Sequence, residues 1–140
     1  VPAAHALPSG SSHHPTARQA RAAPTQFSEE AYLPALAALD EAQMPAMPEY
    51  SKCLGPVQIF PLAIPHDCSD GFLHAYWCRP WAYLDSRIRS GSSSFWAIGN
   101  VDEGLLKLRQ DLESGAWERR YGDLLVCDTY DAGYRLVFTE

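Results

Sequence analysis

The sequence predicts one side of an α/β sheet, preceded by a segment that does not fold. Three observations carry that expectation. All 16 aromatic residues (5 Phe, 4 Trp, 7 Tyr) lie from Phe27 onward, in a chain of 140 residues. Two strongly β-forming runs, near 57–65 and 134–139, stand far apart in that part. Between them the apolar residues recur at helical spacing.

The segment 1–26 is rich in Ala, Pro, Ser and His and contains Arg18 and Arg21 but no acid. It offers too little apolar surface to offset the entropy of ordering it, so a disordered leader is expected. It lacks the basic start and apolar stretch of a secretory signal, and its four prolines oppose an amphipathic transit helix. A chain starting at Val1 rather than Met suggests a fragment or a processed product. The domain expected to fold is 27–140.

In that domain Ser28 can cap a helix, with Glu29 and Glu30 at its positive end. Tyr32, Ala35, Leu36, Ala38 and Leu39 form its apolar stripe, Pro34 sits in its first turn, and Pro45 and Pro48 close it. Gly55-Pro56 is a turn, and 57–65 follows as a mostly apolar strand carrying prolines at 61 and 65, as near a sheet edge. The polar run His66-Asp67-Cys68-Ser69-Asp70-Gly71 then turns the chain, with Asp70 as a cap for a short helix from Phe72 to Cys78. Pro80 ends that helix and opens another through Leu84, and 90–94 is a serine-rich loop. Asn100 and Glu103 have capping-box spacing ahead of Val101, Leu105, Leu108 and Leu112, which share a helix face, and Gly115 sits where a C-terminal glycine belongs. A further short helix over 116–121 and a final strand over 134–139 complete the order. Two strands make no stable sheet alone, so the others are expected to be missing or to lie in a partner.

Composition narrows the function. The net charge is −6, and with the leader at +2 the rest carries 9 basic against 17 acidic side chains. That is no footprint for nucleic acid or an anionic membrane. No apolar run approaches the roughly 20 residues a membrane span needs. Four cysteines at 53, 68, 78 and 127 form no C-x-x-C pair, so reduced thiols in a cytoplasmic protein are expected.

The densest reactive set is His66, Asp67, Cys68 and Asp70, with His74 and Cys78 downstream. A zinc site, a Cys68 nucleophile with His66 as base, and a plain capping turn with Cys68 as buried filler all fit the residues. The aromatic cluster from Phe72 to Trp96 reads as core or as the lid of a ligand pocket. Arg79, Arg87 and Arg89 among these rings would suit an anion or simply face water. No G-x-G-x-x-G, Walker loop, G-x-S-x-G or H-E-x-x-H occurs in the 140 residues.

The run Ile64-Pro65-His66-Asp67-Cys68-Ser69-Asp70-Gly71-Phe72-Leu73-His74-Ala75-Tyr76-Trp77, followed by Arg79-Pro80 and Ala82-Tyr83-Leu84-Asp85, resembles the C-terminal half of a group of small bacterial class I S-adenosylmethionine-dependent methyltransferases. Gly104-Leu105, Leu108-Arg109, Asp111-Leu112, Ser114-Gly115-Ala116-Trp117 and Gly133-Tyr134-Arg135-Leu136-Val137 extend the likeness over about 28–140. Cys78, Trp81 and Ser86 depart from the Arg, Glu and Pro usual in that group. The resemblance implies a partial Rossmann-like sheet, its last two strands at 57–64 and 134–139, with a helical cap over 71–121. It also implies S-adenosylmethionine as cofactor and a small-molecule methyl acceptor, without the glycine-rich cofactor loop. In such a sheet the turn after the sixth strand borders the ligand crevice. His66 and Asp67 are then candidate catalytic residues that orient or deprotonate the acceptor, and Cys68, Asp70, Tyr76, Trp77 and Arg79 candidate substrate contacts. The alternative from another class is an acidic interaction module that self-associates or adds a partner through an open sheet edge.

Overall fold

A computed structural model of the chain describes residues 31–139. The leader and the Ser28 cap with Glu29 and Glu30 lie outside the described residues. Helix α1, Pro34–Gln43, starts on Pro34, whose fixed φ and absent N–H suit the first turn. Helix α2, Met47–Leu54, repeats the device with Pro48 and ends at Gly55, which has φ +81°. Pro48 therefore opens a second helix and does not close the first, because the first turn needs no N–H from it.

Strand β1, Val57–Pro61, pairs antiparallel with β4, Arg135–Thr139, Val57 facing Thr139 and Pro61 facing Arg135. Strand β2, Ile64–Pro65, pairs antiparallel with β3, Thr129–Tyr130. The expected single strand over 57–65 is thus broken at Leu62 and Ala63, and its two parts join different two-stranded sheets. The two expected runs pair with each other over 57–61 and 135–139. Of the two-residue strands, β2 is the far end of the expected run and β3 is one that the sequence did not show.

The expected helix over 72–78 is absent. Successive turns replace it, with hydrogen bonds from Ala75 N to Phe72 O (3.1 Å) and from Arg79 N to Tyr76 O (2.8 Å). Tertiary bonds hold this course: the Arg79 guanidinium donates to the Cys68 and Ala75 carbonyls at 2.6 and 2.8 Å, and the Tyr83 hydroxyl to the Leu73 carbonyl at 2.7 Å. A 3-10 turn over Pro80–Leu84 follows as expected. The serine-rich segment is not one open loop: helix α3, Ser86–Ser90, and helix α4, Ser93–Ala97, flank Gly91 and Ser92. Helix α5, Asp102–Glu113, begins where the Asn100 side chain accepts from Asp102 N at 2.8 Å, and Gly115 at φ +71° leads into α6, Ala116–Tyr121. A 3-10 turn over Gly122–Val126 returns the chain to β3.

One apolar core joins these pieces. Trp77, with no exposed surface, stacks on Tyr130 at 5.4 Å and donates its indole N–H to the Pro65 carbonyl at 3.4 Å. Leu36, Ile64, Leu73, Tyr83, Leu108 and Trp117 pack in the same cluster. The start of the described chain is pinned on α5: the Tyr32 hydroxyl donates to Asp111 at 2.6 Å, Lys107 bonds the same carboxylate, and its ammonium lies over the Tyr32 ring. Burial and the neighbouring Asp111 carboxylate push the Tyr32 hydroxyl pKa upward. Gly104 makes the approach of the two segments feasible, because a Cβ there would overlap the Tyr32 carbonyl oxygen and meet the Leu33 side chain at 2.7 Å. Among the described residues no helix is long and apolar enough to cross a membrane.

Candidate functional site

Three segments distant in sequence meet at a polar cleft of about 300 Å³. The turn after β2 supplies Asp70, Gly71, Phe72 and Leu73; the α3–α4 junction supplies Gly91, Ser92, Ser93 and Ser94; and Tyr134 enters from the start of β4. The turn can reach the cleft because Ile64 and Trp77 anchor its two ends in the core while Arg79 ties its middle through the Cys68 carbonyl. Ser92 is buried, whereas Asp70 and Ser93 are exposed to the opening.

One wall is aromatic. The Phe72 and Tyr134 rings meet edge to face at 5.4 Å, and the His74 ring meets Tyr134 at 5.5 Å. His74 Nδ1 and the Tyr134 hydroxyl share a hydrogen bond at 3.1 Å. Burial lowers the His74 pKa, opposed in part by the Asp40 carboxylate, so the imidazole is neutral near pH 7. Asp70 is the formally charged side chain among the residues that line the cleft.

The residues singled out in the sequence are only partly gathered here. Asp70 lines the cleft. His66 and Asp67 are exposed on the turn leading to it and are not among its lining residues. The His66 backbone is held at both ends, its N–H donating to Asp128 O at 2.9 Å and its carbonyl accepting the Cys78 thiol at 3.4 Å. Cys68 offers its carbonyl to Arg79, whose guanidinium also lies 4.9 Å from the Tyr76 ring centroid. Tyr76 in turn packs edge-on against Tyr83 at 5.9 Å. Trp77 requires a correction: it is wholly enclosed in the core and offers no face to a ligand.

The arginines form no anion cluster. Arg79 serves two carbonyls, Arg87 pairs with Asp85 at 2.8 Å, and Arg89 donates to the Tyr83 carbonyl at 2.6 Å. Among the described residues no three His, Cys, Asp or Glu side chains converge to hold a metal, so the zinc reading of His66, Cys68, His74 and Cys78 has no assembled site. Burial pushes the Cys78 thiol pKa up, with Arg79 opposing, which suits a packed thiol rather than a nucleophile.

Ser92, Ser93, Ser94 and Tyr134 were not legible as site residues. The serines read as a loop and Tyr134 as the first residue of a strand; only the tertiary arrangement brings them to Asp70. A second, larger groove of about 650 Å³ runs along one face of β1 and β4, lined by Gln58, Phe60, Leu136, Phe138 and Thr139. It holds no titratable side chain and so lacks the means for acid–base chemistry.

Among the described residues no glycine-rich turn of the kind that holds a nucleoside cofactor is formed. The glycines at positive φ, Gly55, Gly99, Gly115 and Gly133, are isolated from one another and never form a glycine-rich turn between a strand and a helix.

No protein-family model matches the chain, and no curated protein does. A solved structure from Anabaena variabilis, described as a "Putative methyltransferase from antibiotic biosynthesis pathway", is similar to it at 34% sequence identity, with a TM-score of 0.75 over 83% of this chain. The matched part is 49% of that protein, so the chain spans about half the length of the structure it matches. The fold is therefore methyltransferase-like.

Proposed function

We propose that the chain is the acceptor-side half of a class I S-adenosylmethionine-dependent methyltransferase, with the cofactor floor supplied by polypeptide other than residues 31–139. The observation that carries this reading is the 34% identity with a methyltransferase-described structure, confined to about half of that protein. The lack of a glycine-rich turn among the described residues supports it, since the nucleoside then needs residues from elsewhere.

The β1–β4 ribbon supports the same reading. Its flanks are apolar and exposed, with Phe60 at 48%, Leu136 at 43% and Phe138 at 52%. A two-stranded ribbon is marginal in water, and a contiguous apolar face signals a missing neighbour. In this proposal the companion half covers it. A self-associating interaction module without catalysis is the second reading, and the same open ribbon favours it. The four unpaired cysteines suit a reducing, cytoplasmic compartment in either case.

The chain's own contribution is alignment and exclusion of water. The Asp70–Leu73 turn, the three serines and Tyr134 bound a cleft in which an acceptor can be held at several hydrogen-bonding points. Such positioning is a large part of any bimolecular transfer. His66 and Asp67, exposed on the same turn, are assigned to orient or deprotonate the acceptor once the other half is in place. The test uses a full-length relative carrying the same His66-to-Phe72 run. His66→Ala and Asp67→Ala are expected to lower turnover by about 10²-fold or more, as loss of a general base does. Unchanged turnover in both would remove those roles.

A further inference from the structure

The lining of the Asp70 cleft specifies more than a generic acceptor. Asp70 is its one formally charged side chain, and its remaining polar groups are hydroxyls of Ser92, Ser93, Ser94 and Tyr134. The neighbouring cations are each turned to other work. Arg89 donates to the Tyr83 carbonyl, Arg79 to the Cys68 and Ala75 carbonyls, and Arg135 bonds Asp131 at 2.6 Å and the Tyr134 carbonyl at 2.8 Å. An anionic ligand would therefore face a carboxylate without a compensating positive charge. A cation would find the carboxylate, hydroxyl oxygens that accept, and two aromatic rings, Phe72 and Tyr134, in the lining. Leu73, which is buried, and the edge-to-face Phe72–Tyr134 pair supply the apolar part of the lining. The volume lies at the small end of ligand sites.

We propose that this cleft binds a small aromatic amine, its ammonium beside Asp70 and the serine hydroxyls and its ring against Phe72 and Tyr134. The assignment rests on reading the cleft as the acceptor pocket and names the class of acceptor: a primary or secondary amine attached to a ring. It separates such acceptors from carboxylic acids and phosphorylated compounds.

The test is binding to the full chain, followed through backbone amide shifts in NMR at Gly71, Ser93 and Tyr134. The probes are 2-phenylethylamine, 2-phenylethanol and phenylacetate, which share a ring and differ in charge. The amine is expected to bind about fivefold or more tightly than the alcohol, and phenylacetate more weakly than either. Asp70→Asn should bring the amine to the level of the alcohol, and Asp70→Lys should reverse the order in favour of phenylacetate. Asp70 is exposed, so both variants keep the fold. Equal binding of amine and acid, an amine affinity unmoved by Asp70→Asn, or no shifts at the cleft with any probe would overturn the assignment. The methyltransferase reading is judged separately, by turnover of the His66 and Asp67 variants in a full-length relative, and survives if only the amine preference fails.

Discussion

Gly104 shows at the residue scale how one hydrogen in place of a methyl decides a contact. Alanine in a helix interior is ordinarily favoured over glycine by about 1 kcal/mol. Here a Cβ would enter the Tyr32 carbonyl, so Gly104→Ala is expected to destabilise by about 2 kcal/mol or more, measured by chemical denaturation. Stabilisation would mean that α5 and the Tyr32–Leu33 segment do not touch. His74 yields a prediction in pH. Its folded pKa lies below the ordinary value of about 6.5, so the unfolded chain binds the proton more readily. The stability that neutral His74 contributes is present above about pH 6.5 and is lost as pH falls through the folded value. Asp111, held low mainly by Lys107, and Asp131, held low mainly by Arg135, lose their contributions only below the ordinary aspartate value near 4. Thermal melts between pH 7.5 and 5 should therefore show a decline that His74→Gln flattens. An equal decline in the variant would assign it to other groups.

At the scale of elements, the parts legible in the sequence were those whose signals are local. Helix α5 was read from its four apolar positions and its flanking Asn100 and Gly115. Gly115 keeps its place after the helix, whereas Val101 takes the N-cap position and Asn100, one residue earlier, accepts only from Asp102 N in place of the expected capping box. The run 72–78 has helix-compatible residues, yet the backbone follows turns because Arg79 and Tyr83 capture the Ala75 and Leu73 carbonyls that a helix would use internally, and Arg79 also ties back to the Cys68 carbonyl. Those bonds join residues up to 11 positions apart and leave no periodicity to read. Strand β3 is too short for alternation to register, and it pairs with β2 where Ile64 and Tyr130 bury together against Trp77. The same division applies to the cleft: Asp70 stood out within a polar turn, while Ser92–Ser94 and Tyr134 gained meaning only from proximity. The contact between Tyr32 and α5 offers a test at this scale. Tyr32→Phe deletes the bond to Asp111 and keeps the ring beside Lys107, and should cost about 1 kcal/mol in denaturant melts. No change would show that the bond is replaced by water without loss.

For the whole molecule, the core and the ribbon tell different stories. The core around Trp77 is closed, while the β1–β4 ribbon leaves Phe60, Leu136 and Phe138 uncovered. The isolated chain is expected to self-associate with rising concentration in sedimentation velocity, and Phe138→Glu to suppress that association. A monomer at all concentrations would show that the ribbon needs no cover. The central claim, that this half holds the acceptor and the nucleoside rests elsewhere, is tested most directly by isothermal titration of the folded chain with S-adenosylmethionine. With a dispersed amide spectrum confirming the fold, we predict no saturable binding up to millimolar ligand. A micromolar dissociation constant would place a complete nucleoside site within these 140 residues and contradict the account.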